Sequence, residues 1–445
     1  MTVEQLYTKC LAQGAYFIES KGESVVIDPL REVDQYIHMA KEANATIKYI
    51  FETHFHADFV SGHIDLARKT GAEIVYGPTA QPAFEATIAT DNQEFKVGDL
   101  TIRVLHTPGH TPESVTYLLI DADGKEQAIF TGDTLFLGDV GRPDLAQKLN
   151  DELTQEKLAG MLFDSLRTRI MPLADDILVY PAHGAGSACG KNMSSDTVDT
   201  LGNQKATNYA LRADMTKEEF IKEVTTGILP PPQYFPKNVI MNKMGYDSID
   251  EVITRGTTAL DLAAFKGEVE NGALILDVRS QAEFIKGFIP NALFIGLNGQ
   301  FAMWVGAIIE DIKQRIVLIV PEGMEKEAVT RLARVGYDGT VGFLKGGVEA
   351  WDGTLNTITS ISAEELAENA ENSNIIDVRK PGEWQAEHID GATHYALDYM
   401  NDDLNKLDKN TEYHIHCAGG YRSVIAISLL MQQGYTKLID VAGGY

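Results

Sequence analysis

Apolar residues follow two rhythms along this 445-residue chain. In the N-terminal half, short and nearly continuous apolar runs stop at turn residues. Ala15-Tyr16-Phe17-Ile18-Glu19-Ser20 and Ser24-Val25-Val26-Ile27-Asp28-Pro29 flank Lys21-Gly22 and predict a β-hairpin. Ile47-Lys48-Tyr49-Ile50-Phe51, Ile129-Phe130-Thr131-Gly132 and Val179-Tyr180-Pro181 read as further strands. Helical spacing appears through Glu218–Glu223 and fades near Gly227, before three prolines at 230–232 that favour a stiff, extended segment. Tyr234, Phe235, Ile240 and Met241 give residues 230–248 something to bury, so this stretch is expected to pack on the first domain. Near the C-terminus, Tyr413–His416 predicts a short strand and Val424–Met431 a buried helix.

The C-terminal part repeats itself. Leu276-Asp277-Val278-Arg279, followed by Glu283 and Phe284, corresponds at an offset of about 100 to Ile376-Asp377-Val378-Arg379, followed by Glu383 and Trp384. Gly336-Tyr337 matches Gly434-Tyr435, and Gly346-Gly347 matches Gly443-Gly444, so the second copy has the shorter loops. A two-copy repeat of this length predicts a pair of domains. With the break between Trp351 and Ser362, the expected domains are residues 1–248, 255–355 and 360–445.

Composition narrows the setting. Thirty-eight Lys and Arg against 64 Asp and Glu give a net charge of −26, which disfavours nucleic acid and anionic membranes as partners. Three cysteines, Cys10, Cys189 and Cys417, are too few and too odd in number for a disulfide framework and point to a reducing compartment. The opening Met1-Thr2-Val3-Glu4-Gln5 lacks the basic and apolar regions of a signal peptide, and no run approaches the ~20 apolar residues of a membrane span. The expectation is a cytoplasmic enzyme.

The most informative chemistry lies in Thr53-His54-Phe55-His56-Ala57-Asp58-Phe59, which packs three potential metal ligands into five residues after a buried strand. His110 (in Thr107-Pro108-Gly109-His110-Thr111-Pro112), Asp133 (in Thr131-Gly132-Asp133-Thr134) and His183 (in Pro181-Ala182-His183-Gly184) each follow an apolar run at a turn. All can therefore gather at one sheet edge. Two His and one carboxylate with open positions suit non-haem Fe(II), and also zinc. His38, His63, His388 and His394 read as structural, and His106 as a brace for the His110 turn.

Together these four motifs resemble the metallo-β-lactamase superfamily, whose signature continues His-x-His-x-Asp-His. Phe59 stands where the last His would help hold a second metal, so the resemblance implies a one-metal site. The run Phe136-Leu137-Gly138-Asp139-Val140-Gly141-Arg142-Pro143-Asp144-Leu145 is similar to the persulfide dioxygenase branch. That resemblance implies one Fe(II) per chain on His54, His110 and Asp133, with His56, Asp58 and His183 close behind or facing substrate. Arg142 reads either as a binder of an anionic substrate group or as half of a surface ion pair. Cys189, in the glycine-rich stretch after His183, reads either as a lining of the substrate pocket or as an inert buried thiol.

The second copy of the repeat carries Cys417-Ala418-Gly419-Gly420-Tyr421-Arg422-Ser423 between its strand and its helix. Glycines let such a loop curl its amides onto the sulfur, and the helix N-terminus with Arg422 favours the thiolate. The Asp-Val-Arg pattern and this loop resemble rhodanese sulfurtransferase domains. The first copy offers Val320-Pro321-Glu322-Gly323-Met324-Glu325 instead, with no Cys and two acids, so it is expected to be inactive. The whole resembles bacterial fusions of persulfide dioxygenase and sulfurtransferase. It implies an α/β multidomain fold: an αββα metallo-β-lactamase sandwich followed by two rhodanese-like domains. Expected reactants are a small thiol persulfide, O2 and sulfite, with thiosulfate as product, in a homo-oligomer. Two alternatives stay open: a zinc thioester hydrolase of the glyoxalase II type fused to a sulfurtransferase, and a non-enzymatic persulfide carrier or sensor.

Overall fold

A computed structural model describes residues 2–146 and 153–445; Met1 of the expected N-terminus and residues 147–152 of the first expected domain lie outside the described residues. Two compact units result, Met1–Ile249 with Arg334–Gly336, and Asp250–Ala333 with Tyr337–Tyr445.

The first unit holds two six-stranded sheets. One runs, neighbour by neighbour, through Thr2–Thr8, Gln13–Ser20, Glu23–Ile27, Thr46–Phe51, Glu73–Tyr76 and Thr87–Ile88. The other runs through Asp199–Thr200, Leu178–Pro181, Glu126–Gly132, Val115–Ile120, Leu100–His106 and Glu94–Val97. The expected hairpin is present: Ser20 pairs with Glu23, and Lys21 (φ 52°) and Gly22 (φ 78°) both take the left-handed conformation that a type I′ turn needs. Side-chain alternation explains why the strands read as continuous apolar runs. Val25, Ile27 and Phe51 point between the sheets, where they meet Val104, Tyr117 and Phe130. Val26 and Ile50 point outward into a cluster with Tyr36 and Leu66, from helices Asp34–Glu42 and His63–Thr70. Leu118 and Ile129 likewise leave the second sheet to meet Leu162 and Phe220, from helices Gln155–Ser165 and Lys217–Thr225. Both faces of each sheet are covered, which makes an αββα sandwich.

In the second unit, two five-stranded parallel sheets share one strand order. The first is Ala259–Leu260, Thr340–Leu344, Ile316–Ile319, Leu274–Asp277 and Leu293–Phe294. The second is Thr359–Ser362, Leu438–Ala442, Tyr413–His416, Ile375–Asp377 and Thr393–His394. The repeated Asp-Val-Arg has the same job in both. Arg279 forks onto Asp277 (Nη2 to Oδ2, 2.6 Å) and reaches the Gly287 carbonyl at 2.9 Å. Arg379 forks onto Asp377 at 2.7 Å and reaches the Glu387 carbonyl at 2.8 Å. A two-pronged pair of this kind fixes geometry as well as charge, and here it ties a strand end to the far end of the next helix. The motif is structural, which accounts for its presence in the copy without a cysteine. Among the described residues no helix is long and apolar enough to cross a membrane.

Candidate metal centre and reactive thiol

His54, His110 and Asp133 converge, with one ligand atom from each lying within 4.8 Å of the others, and all three are buried. Both Asp133 oxygens are buried without a hydrogen-bond donor. An unpaired buried carboxylate is costly unless a cation sits beside it, so these residues fit a metal ion. The histidines are oriented for the same purpose. His110 Nδ1 lies 2.8 Å from the Arg142 carbonyl, which can only accept, so Nδ1 carries the proton and Nε2, 3.4 Å from Asp133, keeps its lone pair for a metal. His54 Nδ1 lies 3.0 Å from Thr53 Oγ1, and that hydroxyl donates to Asp28 Oδ2 at 2.8 Å. Thr53 therefore accepts from Nδ1–H and frees His54 Nε2. Burial, with His56, His110 and His183 nearby, holds His54 well below the usual histidine range, so it stays neutral and able to ligate.

Two glycines let the loops close on Asp133. Gly132 has φ 51°, and a Cβ there would come within 2.6 Å of Thr53 Cβ. A Cβ on Gly141 would overlap the Asp133 carbonyl oxygen, to which the Gly141 N–H donates at 3.1 Å. Asn242, on helix Phe235–Met244, clamps the ligand turn from outside: its amide donates to the carbonyls of His56 and Phe59, both at 2.8 Å, and accepts from Ser61 N–H.

The other expected residues divide into two groups. Asp58, His183 and Cys189 form a second buried cluster, with His183 Nε2 at 3.4 Å from Asp58 and 3.5 Å from Asp133. Burial, reinforced by Asp58 and Asp133, pushes the Cys189 thiol well up, so it is protonated when no cation is present. His56 instead turns away from the ligands, its Nε2 3.0 Å from Asp28 and 3.4 Å from Glu52. Burial opposes charging His56, but these two carboxylates prevail and hold it well above the usual range. Arg142 has four of its five N–H donors engaged. It forks onto Asp144 (2.7 and 2.8 Å) and donates to the carbonyls of Ala188 and Leu229. It braces the Cys189 loop, and of the two readings offered by its motif these contacts are those of an ion pair, here buried. His63 is a core residue, pushed down to about 3 by burial and ringed by Tyr76, Phe84 and Tyr246.

Strand Tyr413–His416 delivers Cys417, and helix Tyr421–Gln432 leaves the loop that follows. Gly420, with φ 83°, turns its N–H back onto Cys417 Sγ at 3.1 Å. Ser423 Oγ lies 3.8 Å from the sulfur and donates to Asp440 at 2.7 Å. Ala418 and Gly419 face solvent while Cys417 itself is buried. Arg422 is held by Glu383 through bonds of 2.6 and 2.8 Å, and still lies near enough to interact electrostatically with Cys417. The first copy turns in the same way at Gly323 (φ 84°), but that amide donates to Glu325 Oε1 at 3.2 Å. In the first copy the amide thus bonds to a carboxylate two residues on, whereas in the second it bonds to a buried sulfur three residues back.

Thr53, Gly132, Gly141 and Glu383 stood inside the motifs and Asp28 inside the hairpin run, all without an assigned role at a site; Asn242 stood in none. Asp28, an acid closing the apolar run 25–27, carried a sequence signal; for Asn242 no sequence signal exists.

Residues 9–183 match the metallo-beta-lactamase superfamily, and residues 261–354 and 362–445 match the rhodanese-like domain. The human protein "Persulfide dioxygenase ETHE1, mitochondrial" is 30% identical over 214 residues, covering 47% of this chain and 74% of that protein. "Hydroxyacylglutathione hydrolase GloC" of Haemophilus influenzae is 27% identical over 219 residues, covering 44% and 97%. Among solved structures, a metallo-beta-lactamase from Staphylococcus aureus is 31% identical with a TM-score of 0.66, covering 77% of this chain and 98% of its own.

Proposed function

This chain belongs to the metallo-β-lactamase superfamily and carries two rhodanese-like domains, and on that premise we propose that it couples persulfide oxidation to sulfur transfer. In the first reaction a small thiol persulfide, O2 and water give the free thiol, sulfite and two protons. In the second, Cys417 takes the outer sulfur of another thiol persulfide and releases the free thiol; sulfite then attacks the outer sulfur of the Cys417 persulfide, giving thiosulfate and the Cys417 thiol. Domains 1–248, 255–355 and 360–445 would hold the oxidation site, an inactive copy and the transfer site.

The observation that carries the reading is the donor set: one buried, donor-free Asp133 between two histidines whose Nδ1 atoms are tied off. His54, His110 and Asp133 would hold a single ferrous ion, which supplies the one-electron chemistry that lets O2 react with a sulfur compound. The protein's share is positional. Thr53 and the Arg142 carbonyl fix the two imidazoles, Asp133 supplies the charge, and Phe59, buried against the His56 ring, offers no ligand atom. In the second copy, the Gly420 amide and the Arg422 charge favour the anionic sulfur that a persulfide carries. Joining both sites in one chain raises the effective concentration of sulfite at Cys417.

Elemental analysis of the purified protein, with oxygen uptake on glutathione persulfide, tests this. The expected result is about one iron per chain and sulfite formed with O2 consumed. Two zincs and no oxygen uptake would move the assignment to a thioester hydrolase. The Asp58, His183 and Cys189 cluster favours that second reading, as does the similarity to hydroxyacylglutathione hydrolases.

A further inference from the structure

The degenerate first copy of the repeat has no reactive residue, yet it lies against the helix that starts at the Cys417 loop. Three residues on one face of Tyr421–Gln432, spaced by seven and four, bond in turn to one stretch of the first copy. Tyr421 Oη donates to the Gly296 carbonyl at 2.6 Å. Ser428 Oγ accepts from Phe294 N–H at 3.0 Å. Gln432 Nε2 donates to the Asn291 carbonyl at 2.8 Å. Residues seven and four apart share a helix face, so the helix lies along strand Leu293–Phe294, at the edge of its sheet. It satisfies an N–H that an edge strand would otherwise leave unpaired.

The contact is tightest beside the sulfur. A Cβ on Gly299 would overlap the Tyr421 ring, 2.3 Å from Cζ, 2.6 Å from Cε1 and 2.7 Å from Cε2. The Tyr421 ring also meets Phe294 edge-on, with centroids 5.8 Å apart. The turn beneath is itself braced, because Arg331 donates to the Leu297 carbonyl at 2.7 Å and to that of Gly299 at 3.4 Å. Tyr421 directly follows Gly420, whose N–H is aimed at Cys417 Sγ.

The geometry points to the first copy as a positioning element for the reactive thiol. Its Gly296–Gly299 turn fixes Tyr421, and Tyr421 fixes the Gly420 amide that favours the charged sulfur. Tyr421 and Gly299 are positioning residues; neither touches the reacting atom. This rests on the reading of Cys417 as the sulfur acceptor.

The test is the rate of Cys417 alkylation by iodoacetamide in the full chain, followed from pH 5 to 10. Peptide mass spectrometry separates Cys417 from Cys10 and Cys189. Gly299→Ala is expected to slow alkylation at pH 7 by about fivefold or more, and Tyr421→Phe, which deletes one oxygen, by about threefold. In both, the alkaline rise of the rate moves to higher pH while the far-ultraviolet circular dichroism stays that of the wild type. Should Gly299→Ala fail to fold, Tyr421→Phe decides alone. A folded Tyr421→Phe protein with a wild-type profile overturns the inference, and so does uniform slowing without movement along the pH axis. Alkylation reads the loop directly, so a failure of persulfide oxidation or thiosulfate formation leaves this result standing.

Discussion

Replacing Thr53 by Val tests whether the metal centre depends on what lies behind it. The substitution keeps the shape of a buried side chain and exchanges its hydroxyl for a methyl group. Two contacts go: the bond to Asp28 Oδ2 at 2.8 Å and the acceptor for His54 Nδ1 at 3.0 Å. The Thr53 N–H still donates to Asp28 Oδ1 at 2.8 Å, so the turn keeps its backbone anchor. A hydrogen bond to a charged group contributes about 1.5–3 kcal/mol, and the metal-free protein should lose stability in that range. Without an acceptor at Nδ1, His54 is free to adopt the tautomer that blocks Nε2. Losses of this kind typically weaken metal binding about 10- to 100-fold, or roughly 1.4–2.8 kcal/mol. Competition between the protein and a chromogenic Fe(II) chelator, without oxygen, measures the affinity; urea unfolding of the metal-free form measures the stability. Thr53→Ser, which restores the hydroxyl, should return most of both. Fe(II) affinity within twofold of wild type in Thr53→Val would refute the argument that this hydroxyl sets the imidazole.

Gly141→Ala should abolish stoichiometric metal, since its Cβ would overlap the Asp133 carbonyl oxygen; full metal content by elemental analysis would show that the loop can shift at no cost to the site. Cys417→Ser should still form sulfite from persulfide but no thiosulfate, and thiosulfate at the wild-type rate would place the acceptor elsewhere. Glu383 is held down to about 2, chiefly by its bond to Arg422, against an ordinary value of 4.5. A depressed carboxylate stabilises the fold above its ordinary value and loses that effect as pH falls towards its folded value. Glu383→Gln should thus melt below wild type at pH 7, with the gap closing between pH 4.5 and 2; a gap that stays constant through that window would remove the pair from the account.

What the sequence reveals depends on how local the cause is. The hairpin at Lys21-Gly22 is set by two adjacent residues and the alternation around them, and the structure has it there. The repeat reads out as two sheets of one strand order, because Asp-Val-Arg is a local device closed within about ten residues. The coming together of His54, His110 and Asp133 was also accessible, since each follows a strand and strands end at edges. The partners of these residues were harder to see. Asp28 reaches Thr53 from 25 residues away, and Asn242 reaches Phe59 from 183. No periodicity links such positions; only the packing of the sheets and of helix Phe235–Met244 does. Arg142 shows the same limit. Its motif left open an anion binder or an ion pair; its contacts are to Asp144, Ala188 and Leu229, and two of those three lie more than 40 residues away.

During turnover the loop around Cys417 would alternate between a thiol and a longer, charged persulfide, so any surface shaped only by that loop would change with every cycle. The loop around Gly323 has its anion built in, as the Glu325 carboxylate on the same stretch of backbone. It has no cysteine to load with sulfur. The part of the first copy that meets the start of the helix after Cys417 is its Gly296–Gly299 turn, which carries no group that sulfur chemistry would alter.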